Sequence, residues 1–180
     1  MARSAILAWL FVWAGCIGTT PEEQLRADQG SARDGDPEHR PGQPCLVCHG
    51  ADYDPGGKVF ALAGTVYLLA GDPDDGGLEG AAVNVLDSAG HEFSALTNRV
   101  GNFMVWVESD LVAPAQRERG QLVIPWQPVF PLTVGVQVGD ADERAMESQI
   151  WRDGSCARCH LGSEGGADHV EKVWAVEAAP

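Results

Sequence analysis

The stretch that decides the fold reads Ala82-Val83-Asn84-Val85-Leu86-Asp87, then Ser88-Ala89-Gly90, then, past His91, Glu92-Phe93-Ser94-Ala95-Leu96-Thr97. Two short runs with strand-like composition, separated by a small polar turn, predict a β-hairpin. Upstream, Phe60-Ala61-Leu62-Ala63-Gly64-Thr65-Val66-Tyr67-Leu68-Leu69 is strand-like, and Gly71-Asp72-Pro73-Asp74-Asp75-Gly76-Gly77 closes it as a turn cluster. Downstream, Asn98-Arg99-Val100-Gly101 turns the chain into Asn102-Phe103-Met104-Val105-Trp106-Val107, and Pro131-Leu132-Thr133-Val134-Gly135-Val136-Gln137-Val138 alternates with period two. Val112 to Pro128, with Arg117-Glu118-Arg119 and Leu122-Val123-Ile124-Pro125-Trp126, reads as a loop or an extra edge strand. Asp142 to Trp151 is the one segment with a trace of a helical stripe. Many short strands with frequent turn signals give an all-β chain, a single β-sandwich over 60–150.

Composition agrees with that reading. The 22 Gly and 11 Pro imply many turns and little long helix, while 44% hydrophobic residues suffice for a core. A length of 180 residues suits one domain with tails. The formal charge is −14 and the pI near 4.5, so no basic footprint exists for a phosphate backbone and nucleic acid is excluded as a partner. The acidic residues read as a solvated surface, and no general-base constellation is visible.

The 5 cysteines divide unevenly. Four of them form the same pattern twice, Cys45-Leu46-Val47-Cys48-His49 and Cys156-Ala157-Arg158-Cys159-His160. Cys-x-x-Cys-His is the attachment signature of c-type haem. Two thiols at this spacing add to vinyl groups on one edge of a porphyrin, and the next residue, His49 or His160, stands under the iron as proximal ligand. The expected cofactors are therefore two covalently bound haem c groups. Two alternatives stay open: a zinc site assembled from both cysteine pairs, or a redox or structural disulfide in each. Neither requires His after both pairs. What fills the sixth position of each iron separates electron transfer from small-ligand chemistry. The candidate distal ligands are His39, just before the first motif, and Met146, before the second. His169 is a weaker candidate, Met104 reads as strand packing and His91 as a solvated turn residue.

The fifth cysteine follows a leader. Met1-Ala2-Arg3-Ser4 carries one positive charge, and Ala5 to Trp13 is apolar and too short to span a bilayer. Ala14-Gly15-Cys16 resembles the lipobox of bacterial lipoproteins, which implies a signal peptide over 1–15 and lipidation of Cys16. A plain cleaved signal and a retained anchor are the alternatives. Ile17 to Pro44 is polar and contains Pro37, Pro41 and Pro44, so 16–44 reads as a lipidated N-terminus and flexible tether. The remaining segments are a first haem-binding segment over 45–59 and a second with its tail over 151–180.

Two resemblances extend this reading. Ala63-Gly64-Thr65-Val66, Leu78-Glu79-Gly80-Ala81-Ala82-Val83-Asn84-Val85 and Thr97-Asn98-Arg99-Val100-Gly101-Asn102-Phe103 resemble the carboxypeptidase regulatory-like (transthyretin-like) sandwich. That resemblance implies an Ig/transthyretin-like scaffold and no catalysis. The order of lipobox, motif, sandwich and motif resembles lipoprotein cytochromes predicted for Gram-negative bacteria, chiefly myxobacteria. The match rests on His39-Arg40-Pro41-Gly42-Gln43-Pro44-Cys45 and on Gly154-Ser155-Cys156. The expectation is an exported di-haem electron carrier of the cell envelope, on the periplasmic face or outer membrane. It would be lipid-anchored and serve a redox protein partner of basic charge. Its alternatives are a haem peroxidase or gas sensor with an open axial site, and a haem-free zinc or disulfide surface module.

Overall fold

The computed structural model describes residues 36–51, 58–69, 76–160 and 172–175. The leader, Cys16, the tether as far as residue 35, the turn at 71–75 and His169 lie outside the described residues. Eight strands form two sheets: β1 (Phe60–Thr65), β2 (Ala82–Leu86), β3 (Glu92–Leu96), β4 (Asn102–Val107), β5 (Ala115–Glu118), β6 (Gln121–Ile124), β7 (Thr133–Gln137) and β8 (Arg144–Ala145). One sheet has the order β1-β4-β6-β5 and the other β3-β2-β7-β8. The chain is an all-β sandwich.

The expected hairpin forms from β2 and β3, with Val83 opposite Ala95 and Val85 opposite Phe93. All four point inward, because alternate residues of a strand share a face. They meet Leu62, Val66, Phe103, Val105, Leu122 and Ile124 from the facing sheet, which closes the main core. Each such side chain contributes roughly 1.5–3 kcal/mol on burial. The turn before β4 needs Gly101, whose φ is +79°; a Cβ there would stand 2.3 Å from the Val66 carbonyl oxygen.

Two expectations are corrected. Val112 to Pro128 supplies both β5 and β6, and β6 is an interior strand that pairs in parallel with β4. Asp142 to Trp151 is no helix. Its apolar residues Met146 and Ile150 pack on the main core, while the Met146 and Ile150 amides donate to the Val134 and Leu132 carbonyls at 2.9 Å each. An i, i+4 apolar pair satisfies a sheet edge as well as a helix face when a neighbouring strand offers open carbonyls.

The first sheet is apolar on its outer face as well. In β4, Phe103 and Val105 face the main core, whereas Met104 and Trp106 face outward and form a second cluster with Phe60, Ala63 and Val123. A sheet that is apolar on both faces must be covered on both. Cys45, Leu46 and Leu111 pack on this second cluster. β1 is moreover the edge strand of its sheet, and Gly154 and Ser155 run along it: the Ala63 amide donates to the Gly154 carbonyl at 2.9 Å. Covering the edge removes a row of open backbone groups.

Candidate functional site

The two motifs form the same turn twice. In the first, α1 (Leu46–His49) is a single helical turn entered from Cys45. The Cys48 and His49 amides donate to the Cys45 carbonyl at 3.2 and 2.9 Å. In the second, a 3-10 turn over Cys156–Arg158 sends the Cys159 and His160 amides to the Cys156 carbonyl at 3.2 and 3.0 Å. Residues three and four apart on a helical turn are neighbours, so each turn keeps its two cysteines and its histidine within one short stretch of backbone. Gly50 ends the first turn, where a Cβ would stand 2.5 Å from the Leu46 carbonyl oxygen. Asp153 braces the second, accepting from the Ser155 amide at 2.9 Å and pairing with Arg158 at 2.6 Å.

Both turns rest on β1. Cys45 lies over the outer face of the sheet, on the Phe60, Ala63 and Trp106 cluster. Cys156 lies on the core side, where the space above Gly64 is filled by its side chain: a Cβ on Gly64 would stand 2.7 Å from the Cys156 Cβ and 3.0 Å from its sulfur. Burial pushes the Cys156 thiol up to about 12, with Cys45, Cys159 and Asp153 adding to the rise, and burial pushes the Cys45 thiol up to about 11. None of these four cysteines forms a disulfide; Cys159 is exposed and Cys48 half-buried. Reactive Cys-x-x-Cys pairs depend on a lowered thiol pKa, and Cys45 and Cys156 have the opposite.

The segment before the first motif was expected to be tether through Pro44, and residues 36–44 are instead fastened to the sandwich. The Asn98 side-chain amide donates to the Pro37 carbonyl at 2.8 Å, and that of Asn102 to the His39 carbonyl at 3.0 Å. Thr65 accepts from the Gly42 amide at 2.8 Å and donates to Asn102 at 2.7 Å. Arg99 forms an ion pair with Glu38. Asn98, Asn102 and Thr65 are buried, and the sequence reading missed them as holders of the site. The available signal was their chemistry: buried amides in a turn and strand require partners.

This clamp sets His39 beside His49, with ring centroids 5.9 Å apart and planes at 52°. The His49 ring stacks on Phe60 at 4.4 Å, and Phe60 leans on Trp106 at 6.3 Å. His39 Nδ1 faces the Asp36 carbonyl, and His49 Nδ1 lies 3.3 Å from the Lys58 carbonyl. The other candidates stand elsewhere. Met146 is half-buried against the main core, and Met104 is buried in the outer cluster. His91, expected to be merely solvated, has its Nδ1 3.0 Å from Asp87 and its ring on Trp126 at 4.7 Å. Burial works to raise the Asp87 carboxyl, but hydrogen bonds from His91 and the Val129 amide outweigh it and hold the group below its ordinary value. Asp87 thereby closes the hairpin turn, also accepting from the Ala89 and His91 amides at 2.9 Å each.

Each motif thus offers two thiols and an imidazole from one turn, and the first adds an aromatic wall of Phe60 and Trp106 and a second imidazole. This donor set suits a flat apolar macrocycle joined through sulfur and ligated at its metal by histidine. Among the described residues, no three His, Cys, Asp or Glu side chains converge as a ready metal-ion cage. Among the described residues, no helix is long and apolar enough to cross a membrane. No family model, curated protein or solved structure matches this chain.

Proposed function

We propose that the protein is an exported di-haem c-type cytochrome that transfers electrons, held at a membrane by a lipid on Cys16. The observation that carries this reading is the duplicated turn, in which the Cys48 and His49 amides donate to the Cys45 carbonyl and the Cys159 and His160 amides donate in the same way to the Cys156 carbonyl. Zinc knuckles and disulfides need the cysteines alone, whereas only haem attachment uses the histidine that follows both pairs. Bound through the four cysteines, the two haems would each supply one iron that gains and loses a single electron.

The chain's own residues then have defined tasks. Cys45 and Cys48, and Cys156 and Cys159, would hold each group covalently. His49 and His160 would ligate the iron. Phe60, Trp106 and Met104 keep water from one face of the first site. Both turns sit on β1, so one strand would carry both groups. The charge of −14 attracts a basic redox partner and makes the association rate fall as salt rises. Cys16 and the residues after it supply the attachment to the cell envelope, at the periplasmic face or outer membrane.

The test is production in a host that matures c-type cytochromes, followed by intact mass and a covalent haem stain. Two haems per chain are expected, falling to one in Cys45→Ser/Cys48→Ser and to the other one in Cys156→Ser/Cys159→Ser. A colourless protein from that host overturns the reading.

A further inference from the structure

We propose that His39 is the second axial ligand of the first site, opposite His49, so that the iron held there has no open position. This rests on the haem reading above and deepens it.

Four observations converge. First, the two rings stand 5.9 Å apart. Metal–imidazole bonds are about 2 Å long, so two imidazoles on opposite sides of one metal have ring centres roughly 6 Å apart. The planes are tilted at 52°, so ring stacking does not account for the approach. Second, each ring directs Nδ1 at a backbone carbonyl, His39 at Asp36 and His49 at Lys58. A carbonyl only accepts, so in this pairing Nδ1 carries the proton and Nε2 is the basic nitrogen of each ring. Metal-binding histidines are held in this way, one ring N–H on a carbonyl and the other nitrogen turned to the metal.

Third, His39 is positioned from both sides. Its own carbonyl accepts from Asn102, the Pro37 carbonyl accepts from Asn98, Glu38 pairs with Arg99, and the Gly42 amide donates to Thr65. Fourth, Arg40, the next residue, adopts φ +49°, a left-handed conformation uncommon outside glycine. Strained backbone persists where its surroundings dictate it, and here it reverses the chain between His39 and the first motif. A solvated tether residue would need none of these constraints.

The consequence separates two functions. An iron with histidine on both sides is low-spin and has no site for peroxide, carbon monoxide or another small ligand, which leaves electron transfer as its task. The experiment uses the matured holoprotein, with haem content by intact mass as the first readout. In the wild type, near-infrared magnetic circular dichroism of the ferric protein is expected to show a bis-histidine haem. In His39→Ala, both haems remain attached, one becomes high-spin, carbon monoxide uptake by the ferrous protein rises by one equivalent, and added imidazole reverses both changes. In His39→Met, one midpoint potential rises and the other stays. A His39→Ala protein with two attached haems, an unchanged spectrum and unchanged carbon monoxide uptake overturns the ligand assignment and leaves the haem reading intact. A wild type with two haems but no bis-histidine signal does the same, even where the variants fail to fold. A wild type without haem instead removes the haem reading itself.

Discussion

The two Cys-x-x-Cys-His turns share their backbone hydrogen bonds but not their surroundings. The first is a short helix on the outer face of the β1 sheet, over Phe60 and Trp106, with a clamped segment that brings in His39. The second is a 3-10 turn at the edge of the same strand, seated on Gly64 and the main core, and braced by an exposed Asp153–Arg158 pair. Of the variable pair inside each motif, Val47 is buried in one and Ala157 in the other. Local spacing therefore makes the turn, and the sheet beneath decides what accompanies it. The first site is furnished with aromatic cover and a second imidazole; the second is built into the sandwich itself.

Substitutions that touch one floor at a time break this comparison. Trp106→Ala removes the wall of the first site and is expected to cost about 3–5 kcal/mol, as truncation of a buried Trp does. Denaturant unfolding checks the stability, and in protein matured with the two proposed haems the optical spectrum of the first should change while the second holds. Gly64→Val pushes on the Cys156 Cβ and on Phe103 and should cost roughly 3 kcal/mol by overpacking. Its effect falls on the second site, read as loss of haem from Cys156 and Cys159 with the first haem retained. Asn102→Ala frees the His39 carbonyl and strands Thr65, at about 2 kcal/mol for the lost buried partners. It should broaden the signal of the first haem alone.

The smallest effect concerns the thiols of the haem-free chain. Cys45 and Cys156 have raised pKa values of about 11 and about 12, so at neutral pH they are thiols, and the thiolate is the reacting form. Their alkylation should accelerate about tenfold per pH unit below those values, a step of about 1.4 kcal/mol. Exposed Cys159 should react first. Mass mapping after timed alkylation checks this, and rapid labelling of Cys45 at neutral pH would contradict its enclosure.

Much of the sandwich was legible in the sequence because strand alternation is local. The run Asn102–Val107 is β4 as expected, and the Ala82–Thr97 hairpin is β2 and β3. What failed was non-local. Leu122-Val123-Ile124 looks like any apolar run, and only its parallel pairing with β4 makes it interior. Met146 and Ile150 carry helical spacing, yet the open carbonyls of Val134 and Leu132 draw them to the sheet. At the site, the two Cys-x-x-Cys-His turns follow from spacing alone. The clamp of Asn98, Asn102 and Thr65 does not, since those residues look like ordinary turn and strand residues until residues 36–44 pack over them.

The sequence by itself determined an all-β chain carrying the Cys-x-x-Cys-His pattern twice, because strand period and that spacing are properties of neighbouring residues. Only the tertiary structure decided that both turns share β1, that Cys45 packs on the outer cluster and Cys156 on the main core, and that His39 lies beside His49. Those relations join residues distant in the chain, and they exist because a sheet apolar on both faces and open along one edge has to be covered by whatever segments flank it.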